Sequence, residues 1–437
     1  MKKYLVRGGA DPLVDYKPKD ILSSNYIGGN SGNMLFLYGV INALTMETAS
    51  CEITNRKTSW SDAEIERINA EYDAVLLPMA DAFRMDYVSS LQSYTNFICK
   101  LKIPCVIIGV GLREGYEPKL KNKHPFDDAV RSFVQEVLNH SAKLGLRGEI
   151  TGEYLKNLGF TPDRDFTVIG CPSLFMHGSA IDQREPAFHK IGINLNAIAG
   201  DTINDFYVHL LKTDNNIHII QQRGVEFLDW YYGKKVDLST FVPEFPACNI
   251  FKQFDFEKVK KEGRVHFFFN VPSWLEYTKS FGAFAGCRFH GVVAAILSGV
   301  PSAITPIDSR TREFAQFHHI PQIKKEDMAE KKSLEECFQN LDFSAFHKHH
   351  GENLANYISF LKDNGLESVF EKNLSMPFGS SPLEKKILCQ SRTAVYAGYD
   401  ELNALGKISR SIEYPATKSE AKMKKVLWKL LIKKQRS

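Results

Sequence analysis

Short apolar runs alternate with amphipathic segments along most of the chain, and this pattern limits the possible folds more than any other feature of the sequence. Apolar runs bounded by turn residues are typical of buried strands, and segments with apolar residues every three or four positions are typical of covering helices. The runs that we interpret as strands are 74–79, 105–110, 166–169, 191–195, 217–221, 265–269, 283–285 and 302–305. The alternation predicts an α/β protein with parallel sheets.

The chain of 437 residues is longer than a single hydrophobic core usually supports, so two domains are expected. The polar stretch 177–189 shows no periodicity and separates the two groups of strands. We therefore predict an N-terminal α/β domain over residues 1–180 and a C-terminal α/β domain over 186–345, both doubly wound and Rossmann-like. The strand pattern then fades, which predicts a helical extension over 346–437.

Charge and cysteine content exclude several classes of function. The formal net charge of +4 and the pI near 8.4 are only mildly basic, so nucleic acid is not expected as a partner. The eight cysteines are scattered without a CxxC pair, which argues against a zinc site or a redox pair. Thiols spread through apolar segments are typical of buried side chains in a reducing compartment.

No segment of the sequence has the pattern of a secretory signal or a membrane span. Residues 1–9 contain too few apolar residues for a signal, and the apolar stretch 282–300 is interrupted by Arg288 and His290. We therefore expect a cytoplasmic protein.

The segment 422–434, KMKKVLWKLLIKK, places its apolar residues on one helical face and lysines around the rest. A cationic amphipathic helix of this kind binds anionic bilayer surfaces, which predicts peripheral contact with the inner membrane face. The same pattern fits a terminal helix packed on the body of the protein with solvated lysines, and the sequence leaves both interpretations open.

The strongest local signal is the segment 284–305, FAGCRFHGVVAAILSGVPSAIT, in which a strand runs into Arg288 and His290 before an alanine-rich helix. Ligands of open parallel sheets bind at the carboxyl ends of strands, where both side chains are expected to lie. A guanidinium binds carboxylate or phosphate, and a histidine exchanges protons near neutral pH. Arg288 and His290 are therefore candidate catalytic residues. The structural alternative is an arginine that caps the sheet and a histidine hydrogen-bonded in the interior.

A second strand-to-helix turn carries Arg147, in the segment 144–160, LGLRGEITGEYLKNLGF. This position makes Arg147 a candidate second anion ligand. A structural salt bridge explains a lone arginine equally well.

A third signal is the segment 25–37, NYIGGNSGNMLFL, in which glycines and asparagines precede a helix. Backbone amides exposed at such a turn bind an anion or a sugar hydroxyl, and plain turn geometry is the alternative. The candidate contacts in this turn are Gly29, Asn30, Gly32 and Asn33.

These features together resemble the polysaccharide pyruvyl transferase family. The resemblance covers roughly residues 25–322 and includes both arginine segments in this order, the glycine-rich turn, and the GVP of residues 299–301 with a charged turn behind it. In that family an RxH sequence at a sheet end serves the donor site, and this RxH corresponds to Arg288, Phe289 and His290.

The arginine of the family's xRDxxS segment matches Arg147, but the neighbouring positions depart from the family pattern. Gly148 stands where an aspartate is usual, and Thr151 stands where a serine is usual. Cys171 fills the first position of what is commonly an Asp-Pro pair. These departures bear on the local contacts of Arg147.

The resemblance implies a two-domain fold like that of GT-B glycosyltransferases, with the site in the cleft between an acceptor-side N-terminal domain and a donor-side C-terminal domain. It also implies phosphoenolpyruvate as the donor and a polysaccharide or its lipid-linked precursor as the acceptor. Three residues of the charged turn are expected to complete the donor pocket beside Arg147 and Arg288, namely Asp308, Arg310 and Arg312.

Phosphoenolpyruvate carries a carboxylate and a phosphate, so its pocket needs at least two strong cations and a proton source. Arg147, Arg288 and His290 meet that need. We expect protonation of the donor's methylene, attack by a sugar hydroxyl, departure of phosphate and closure of a cyclic ketal, with His290 as acid or base. The scheme requires no metal and no cofactor.

Two other functions stay open at this point. A glycosyltransferase that uses a nucleotide sugar has the same type of fold, and fold does not determine function. A non-catalytic glycan-binding protein with a decayed site is the other alternative, because Gly148 and Cys171 depart from the family pattern.

Two further features are interpreted as structural. The polar segment around His347, His349 and His350 predicts a solvated face and not a metal site. The aromatic run 230–232 is more typical of a core than of a sugar-stacking surface.

Overall fold

The computed structural model describes residues 1–14, 16, 29–55, 57–179, 181–196, 199–222, 254–376 and 380–384. The aromatic run 230–232 and the cationic segment 422–434 lie outside these ranges. Within the described ranges, every helix is too short or too polar to cross a lipid bilayer.

The first sheet consists of β1 (Lys2–Arg7), β2 (Ala49–Thr54), β3 (Ala74–Pro78), β4 (Cys105–Ile108), β5 (Leu144–Leu146) and β6 (Phe166–Val168). Its hydrogen bonds give the order β2-β1-β3-β4, and β5 pairs with β6. A bridge between Val110 and Leu146 connects the two parts, and every pairing is parallel. The order reverses between β1 and β3, as in doubly wound folds.

The second sheet consists of β7 (Ile191–Asn194), β8 (Ile217–Ile220), β9 (Val265–His266), β10 (Ala283–Gly286) and β11 (Ser302–Ile304). Its order is β11-β10-β7-β8-β9, again with every pairing parallel. This is the strand order of a Rossmann half, with the first strand of the domain at the centre. The prediction of two doubly wound, Rossmann-like α/β domains is confirmed.

Helices connect successive strands and cover both faces of the sheets. They are α1 (Gly32–Leu44), α2 (Asp62–Glu71), α3 (Val88–Ile98), α4 (Asp127–Leu138), α5 (Glu149–Asn157), α6 (Asp201–Thr213), α7 (Phe256–Lys261), α8 (Val271–Thr278), α9 (Phe289–Leu297), α10 (Ser309–Phe317), α11 (Lys325–Glu330), α12 (Leu334–Phe338) and α13 (Ser344–Asp363). Helices α1 and α9 are apolar and buried almost all round, so they lie deep in the molecule where the domains meet.

Helix α13 returns from the second domain to the first. The Asn356 side chain donates a hydrogen bond to the carbonyl oxygen of Val168, and Lys143 forms a salt bridge of 3.0 Å with Asp363. The helix begins at Ser344, so the predicted boundary at 345–346 falls inside it. The remaining domain limits stay a prediction.

The structure corrects the interpretation of the histidine cluster. His350 is buried, and its Nε2 donates a hydrogen bond of 2.8 Å to the carbonyl oxygen of Gly178. His347 is exposed, as predicted, but His350 faces inward because α13 packs against the body of the protein.

Candidate active site between the two sheets

The carboxyl ends of the two sheets face each other. Asp81, which follows β3, forms a salt bridge of 3.0 Å with Arg310, which follows β11. The backbone amide of Glu114 donates a hydrogen bond of 2.9 Å to the Ser309 hydroxyl, and the Ser309 amide donates one of 3.2 Å to the Glu114 carbonyl oxygen. Ligands of parallel sheets bind beyond these strand ends, so a site is expected at this interface.

Arg147 lies at the centre of the interface. Its side chain is 0% exposed, and its guanidinium carbon lies 5.1 Å from the ring centre of Phe36 and 4.8 Å from that of Phe289. Among the described residues, none of the three guanidinium nitrogens has a hydrogen-bond partner. Burial lowers the pKa of Arg147, but a guanidinium stays charged in proteins. A buried cation without a partner is costly, and an anionic ligand would stabilise it.

His290 lies in the first turn of α9, beside Arg147. Its ring centre is 4.1 Å from that of Phe289 and 6.2 Å from that of Phe36, the two rings that also contact Arg147. Burial, together with the positive charges of Arg147 and Arg310, holds the pKa of His290 well below its usual range. The imidazole is therefore neutral near pH 7, and in this state it accepts a proton.

Arg288 lies immediately before α9, but its side chain extends toward the end of β7. Its Nε donates a hydrogen bond of 2.8 Å to the Leu195 carbonyl oxygen, and Nη2 lies 3.4 Å from Oδ1 of Asn196. The Asn194 side chain accepts from the Arg288 amide and donates to the Arg288 carbonyl oxygen, each at 2.8 Å. Asn194 thereby fixes the turn from which both Arg288 and His290 project.

The charged residues that follow β11 lie in two different environments. Asp308 caps α10 by accepting a hydrogen bond of 2.8 Å from the Thr311 amide, and it pairs with Arg310 at 2.9 Å. Arg312 instead contacts Tyr116: its Nη1 donates a hydrogen bond of 3.1 Å to the carbonyl oxygen, and its guanidinium lies 5.2 Å from the ring centre. Asp308 and Arg310 therefore face the interface with Asp81, whereas Arg312 lies at a partly exposed position.

Sequence reasoning missed two further arginines at the interface. Asp81 forms salt bridges with Arg84 at 2.8 Å and with Arg113 at 3.8 Å, in addition to Arg310. Burial alone would raise the pKa of Asp81, but these three arginines lower it below its usual value. We call Arg84, Arg113, Arg147 and Arg310 the arginine cluster. Arg84 follows β3 and Arg113 follows β4, so position after a predicted strand was the signal available for them.

The glycine-rich turn lies against the imidazole. A Cβ atom at Gly32 would lie 2.6 Å from Nδ1 of His290, so only glycine leaves room for the histidine. The Asn30 side chain accepts a hydrogen bond of 3.0 Å from the Gly32 amide, and the Asn33 amide donates one of 3.1 Å to the Asn30 carbonyl oxygen. Gly29 begins the turn with φ +71. Gly32 thus lies beside His290, and the acceptor role of Gly29, Asn30, Gly32 and Asn33 stays a prediction.

Cys171 closes the other side of the imidazole. Its Sγ lies 3.8 Å from Nε2 of His290 and 3.0 Å from the Ser173 hydroxyl, and its amide donates a hydrogen bond of 2.8 Å to Nε2 of His318. The thiol therefore lies beside the imidazole at the position where the family commonly has an aspartate. A thiol orients an imidazole more weakly than a carboxylate, because it is a weak hydrogen-bonding group.

Two facing Rossmann-like sheets with buried cations between them define a GT-B-like α/β protein. The sequence model of the polysaccharide pyruvyl transferase family matches residues 30–309. The chain belongs to this family, and it is therefore a transferase whose family acts on a sugar or polysaccharide acceptor.

Solved structures with similar backbones include two UDP-bound proteins. The chain is 12% identical to the UDP-GlcNAc 2-epimerase of Methanocaldococcus jannaschii, with 82% of this chain and 100% of that chain covered and a TM-score of 0.42. It is 11% identical to MnaA of Staphylococcus aureus, with 84% and 99% covered and a TM-score of 0.43. No curated protein sequence matches the chain significantly.

Proposed function

We propose that this protein transfers the pyruvyl group of phosphoenolpyruvate to hydroxyl groups of a polysaccharide or its lipid-linked precursor and closes a cyclic ketal. The observation that carries the proposal is Arg147, a fully buried guanidinium whose nitrogens have no hydrogen-bond partner within the described ranges. Phosphoenolpyruvate is a small anion with both a carboxylate and a phosphate, and a guanidinium binds either group through paired hydrogen bonds.

The donor pocket is proposed to use cations from both domains. Arg147 binds one anionic group of the donor, and Arg288 binds the other. Arg310 adds positive potential although Asp81 and Asp308 already bind it, and Arg312 contributes from the rim. The turn around Gly32 contacts the acceptor beside His290. No metal and no cofactor takes part in this scheme.

The proposed reaction balances without an external reagent. A neutral His290 accepts the proton of the first sugar hydroxyl as its oxygen bonds to the donor's central carbon. His290 passes this proton to the methylene carbon, which becomes a methyl group, and the imidazole is neutral again. The carbon–oxygen bond to phosphate then breaks, and phosphate leaves with the bonding electrons. The second hydroxyl bonds to the same carbon, and its proton leaves with phosphate. The negative charge of bound phosphoenolpyruvate offsets the positive charges of Arg147 and Arg310. The pKa of His290 therefore rises during the reaction.

Incubation with phosphoenolpyruvate and lipid-linked or soluble glycans tests the proposal. We expect phosphate release that depends on the glycan. We also expect mass spectrometry to detect a carboxylate-bearing ketal on the product, which is lost on treatment with acid. Parallel reactions contain nucleotide sugars. Turnover of a nucleotide sugar without phosphate release from phosphoenolpyruvate would support a glycosyltransferase instead. Glycan binding without turnover, unchanged by His290→Ala, would support a binding protein.

The proposed location is the cytoplasm, with peripheral contact of segment 422–434 at the inner membrane face. This proposal rests on the lysine-rich amphipathic pattern of the segment. Deletion of residues 422–437 is expected to abolish co-sedimentation with vesicles that contain anionic lipid. Undiminished co-sedimentation of the truncated chain would contradict it.

A further inference from the structure

Helix α5, which directly follows Arg147, lacks a cap from its own chain segment. Its N-cap residue is Gly148, which has no side chain, so the amide of Thr151 in the first turn needs another acceptor. Glu313 of the C-terminal domain supplies it: Oε2 accepts a hydrogen bond of 2.8 Å from the Thr151 amide. The helix that begins beside Arg147 is therefore capped from the other domain.

The carboxyl group of Glu313 also connects two loops of the N-terminal domain. Both of its oxygens lie within hydrogen-bond distance, 2.9 Å, of the Thr151 hydroxyl oxygen. That hydroxyl in turn accepts a hydrogen bond of 2.8 Å from the Leu112 amide, in the segment after β4. Glu313 thus holds together the strand ends that carry Arg113 and Arg147.

Glu313 fills the space that a side chain at position 148 would need. A Cβ atom at Gly148 would lie 2.6 Å from Cβ of Glu313 and 2.9 Å from its Oε2. The backbone of Gly148 is extended, with φ −168 and ψ 174, so an L-residue adopts it without strain. Position 148 therefore accepts an aspartate only if the whole side chain of Glu313, including its Cβ, is removed.

We propose that Glu313 is a positioning residue, whose carboxyl group caps α5 across the domain interface and fixes Arg147 in the donor pocket. It takes over the capping carboxylate that an aspartate at position 148 would provide. The inference deepens the proposed function and rests on it for the activity measurements, whereas its structural part is tested independently.

Burial supports the same assignment. Glu313 is 1% exposed, and burial raises its pKa to about 8, against the lowering effect of its bonds to Thr151 and of the charge of Arg147; Asp308 raises it further. A neutral carboxyl group still accepts the hydrogen bond from the Thr151 amide. It leaves the charge of Arg147 uncompensated and available for the donor.

The test is a cycle of variants at positions 148 and 313. Glu313→Gly is expected to lower kcat/KM for phosphoenolpyruvate about 30-fold, mainly through KM, because a misplaced guanidinium binds the anion poorly. Gly148→Asp alone is expected to be similarly impaired, because its side chain would overlap the side chain of Glu313. The double variant Gly148→Asp/Glu313→Gly is expected to recover to within about threefold of the unchanged protein, since it removes the overlapping side chain and aspartate is a preferred N-cap residue.

The conservative variant separates positioning from proton transfer. Glu313→Gln keeps an oxygen acceptor and is expected to retain most of the activity, whereas a catalytic acid would lose it. Gln316→Ala, at an exposed position of the same helix, is the matched control for effects on α10 itself. Inactivity of Glu313→Gln would overturn the proposal. So would a double variant whose loss in kcat/KM equals the product of the losses in the two single variants.

Hydrogen exchange of the Thr151 amide provides the readout without substrate. Its protection is expected to fall in Glu313→Gly and to return in the double variant. If the unchanged protein shows no pyruvyl transfer while protection follows this pattern, the proposed function fails and the cap stands. Unchanged protection in Glu313→Gly would reject the cap whatever the activity.

Discussion

The two sheets contribute arginines to one interface under opposite electrostatic conditions. Arg147, after β5, is fully buried, and its nitrogens have no hydrogen-bond partner within the described part of the chain. Arg310, after β11, is held by Asp81 at 3.0 Å and Asp308 at 2.9 Å. A cation already neutralised by the protein joins the domains, whereas a buried cation left unneutralised indicates where an anion binds.

Arg288 differs from both, because it is half-buried and donates hydrogen bonds to the Leu195 carbonyl oxygen and the Asn196 side chain. The comparison therefore ranks Arg147 ahead of Arg310 as a candidate donor ligand.

The largest effect is expected at Arg147. Arg147→Met should lower kcat/KM for phosphoenolpyruvate by about 10³-fold, because it removes a buried donor aimed at the anion. The unfolding temperature should stay the same or rise, since an unpaired buried charge is replaced by an apolar side chain of similar length. Steady-state phosphate release and calorimetry measure the two quantities. If Arg147→Met is active but less stable, Arg147 has a structural role, and it does not differ from Arg310 in function.

His290→Gln should lower kcat by about 10²-fold while the fold is retained, because general acid–base catalysis is lost. In the unchanged protein, kcat/KM should be constant around pH 7 and fall on acidification. The lowered pKa of His290 keeps the imidazole neutral until the pH drops well below the usual range. The acid limb should disappear in the variant. A limb that persists in His290→Gln would assign the titration to another group.

Arg310→Gln should mainly reduce stability, by about 2 kcal/mol, since the partly buried Asp81 and Asp308 lose a partner. Activity should fall about tenfold, less than at Arg147. The double variant Asp81→Asn/Arg310→Gln should regain part of the stability, because the carboxylate is removed together with its partner. Denaturant unfolding measures this. If Arg310→Gln leaves the free energy of unfolding unchanged, Arg310 does not stabilise the interface, and its contrast with Arg147 is wrong.

The smallest effect is expected at Arg312. Arg312→Ala removes a contact with Tyr116 at a partly exposed position, so the free energy of unfolding should change by no more than about 0.5 kcal/mol. The KM for phosphoenolpyruvate should change less than about threefold. A large rise in KM for phosphoenolpyruvate would instead place Arg312 in the donor pocket, as the charged turn in the sequence predicts.

Most of the sheet strands could be predicted because buried parallel strands are nearly continuous apolar runs. The strands β3 and β4 are buried at every residue, and both were recognised. Strand β1 was missed because its buried run, Tyr4 to Val6, is only three residues long and lies between charged residues. Its strand character comes from pairing with β2 on one side and β3 on the other.

Candidate residues were recognisable where they directly follow a strand, as Arg147, Arg288 and His290 do. Glu313 was not recognisable in this way. It lies within α10, where a glutamate is an ordinary surface residue, and its partner Thr151 is 162 positions away. Only the packing of α10 against α5 buries it.

The sequence by itself determined two parallel sheets, the family, and cations at several strand ends, because periodicity and local position carry that information. Only the tertiary structure decided that Arg310 is paired, that Arg147 has no hydrogen-bond partner among the residues that the structure describes, and that the cap of α5 comes from the other domain. The physical reason is that charge pairing depends on distances of a few ångströms across the domain interface, between residues that are far apart along the chain.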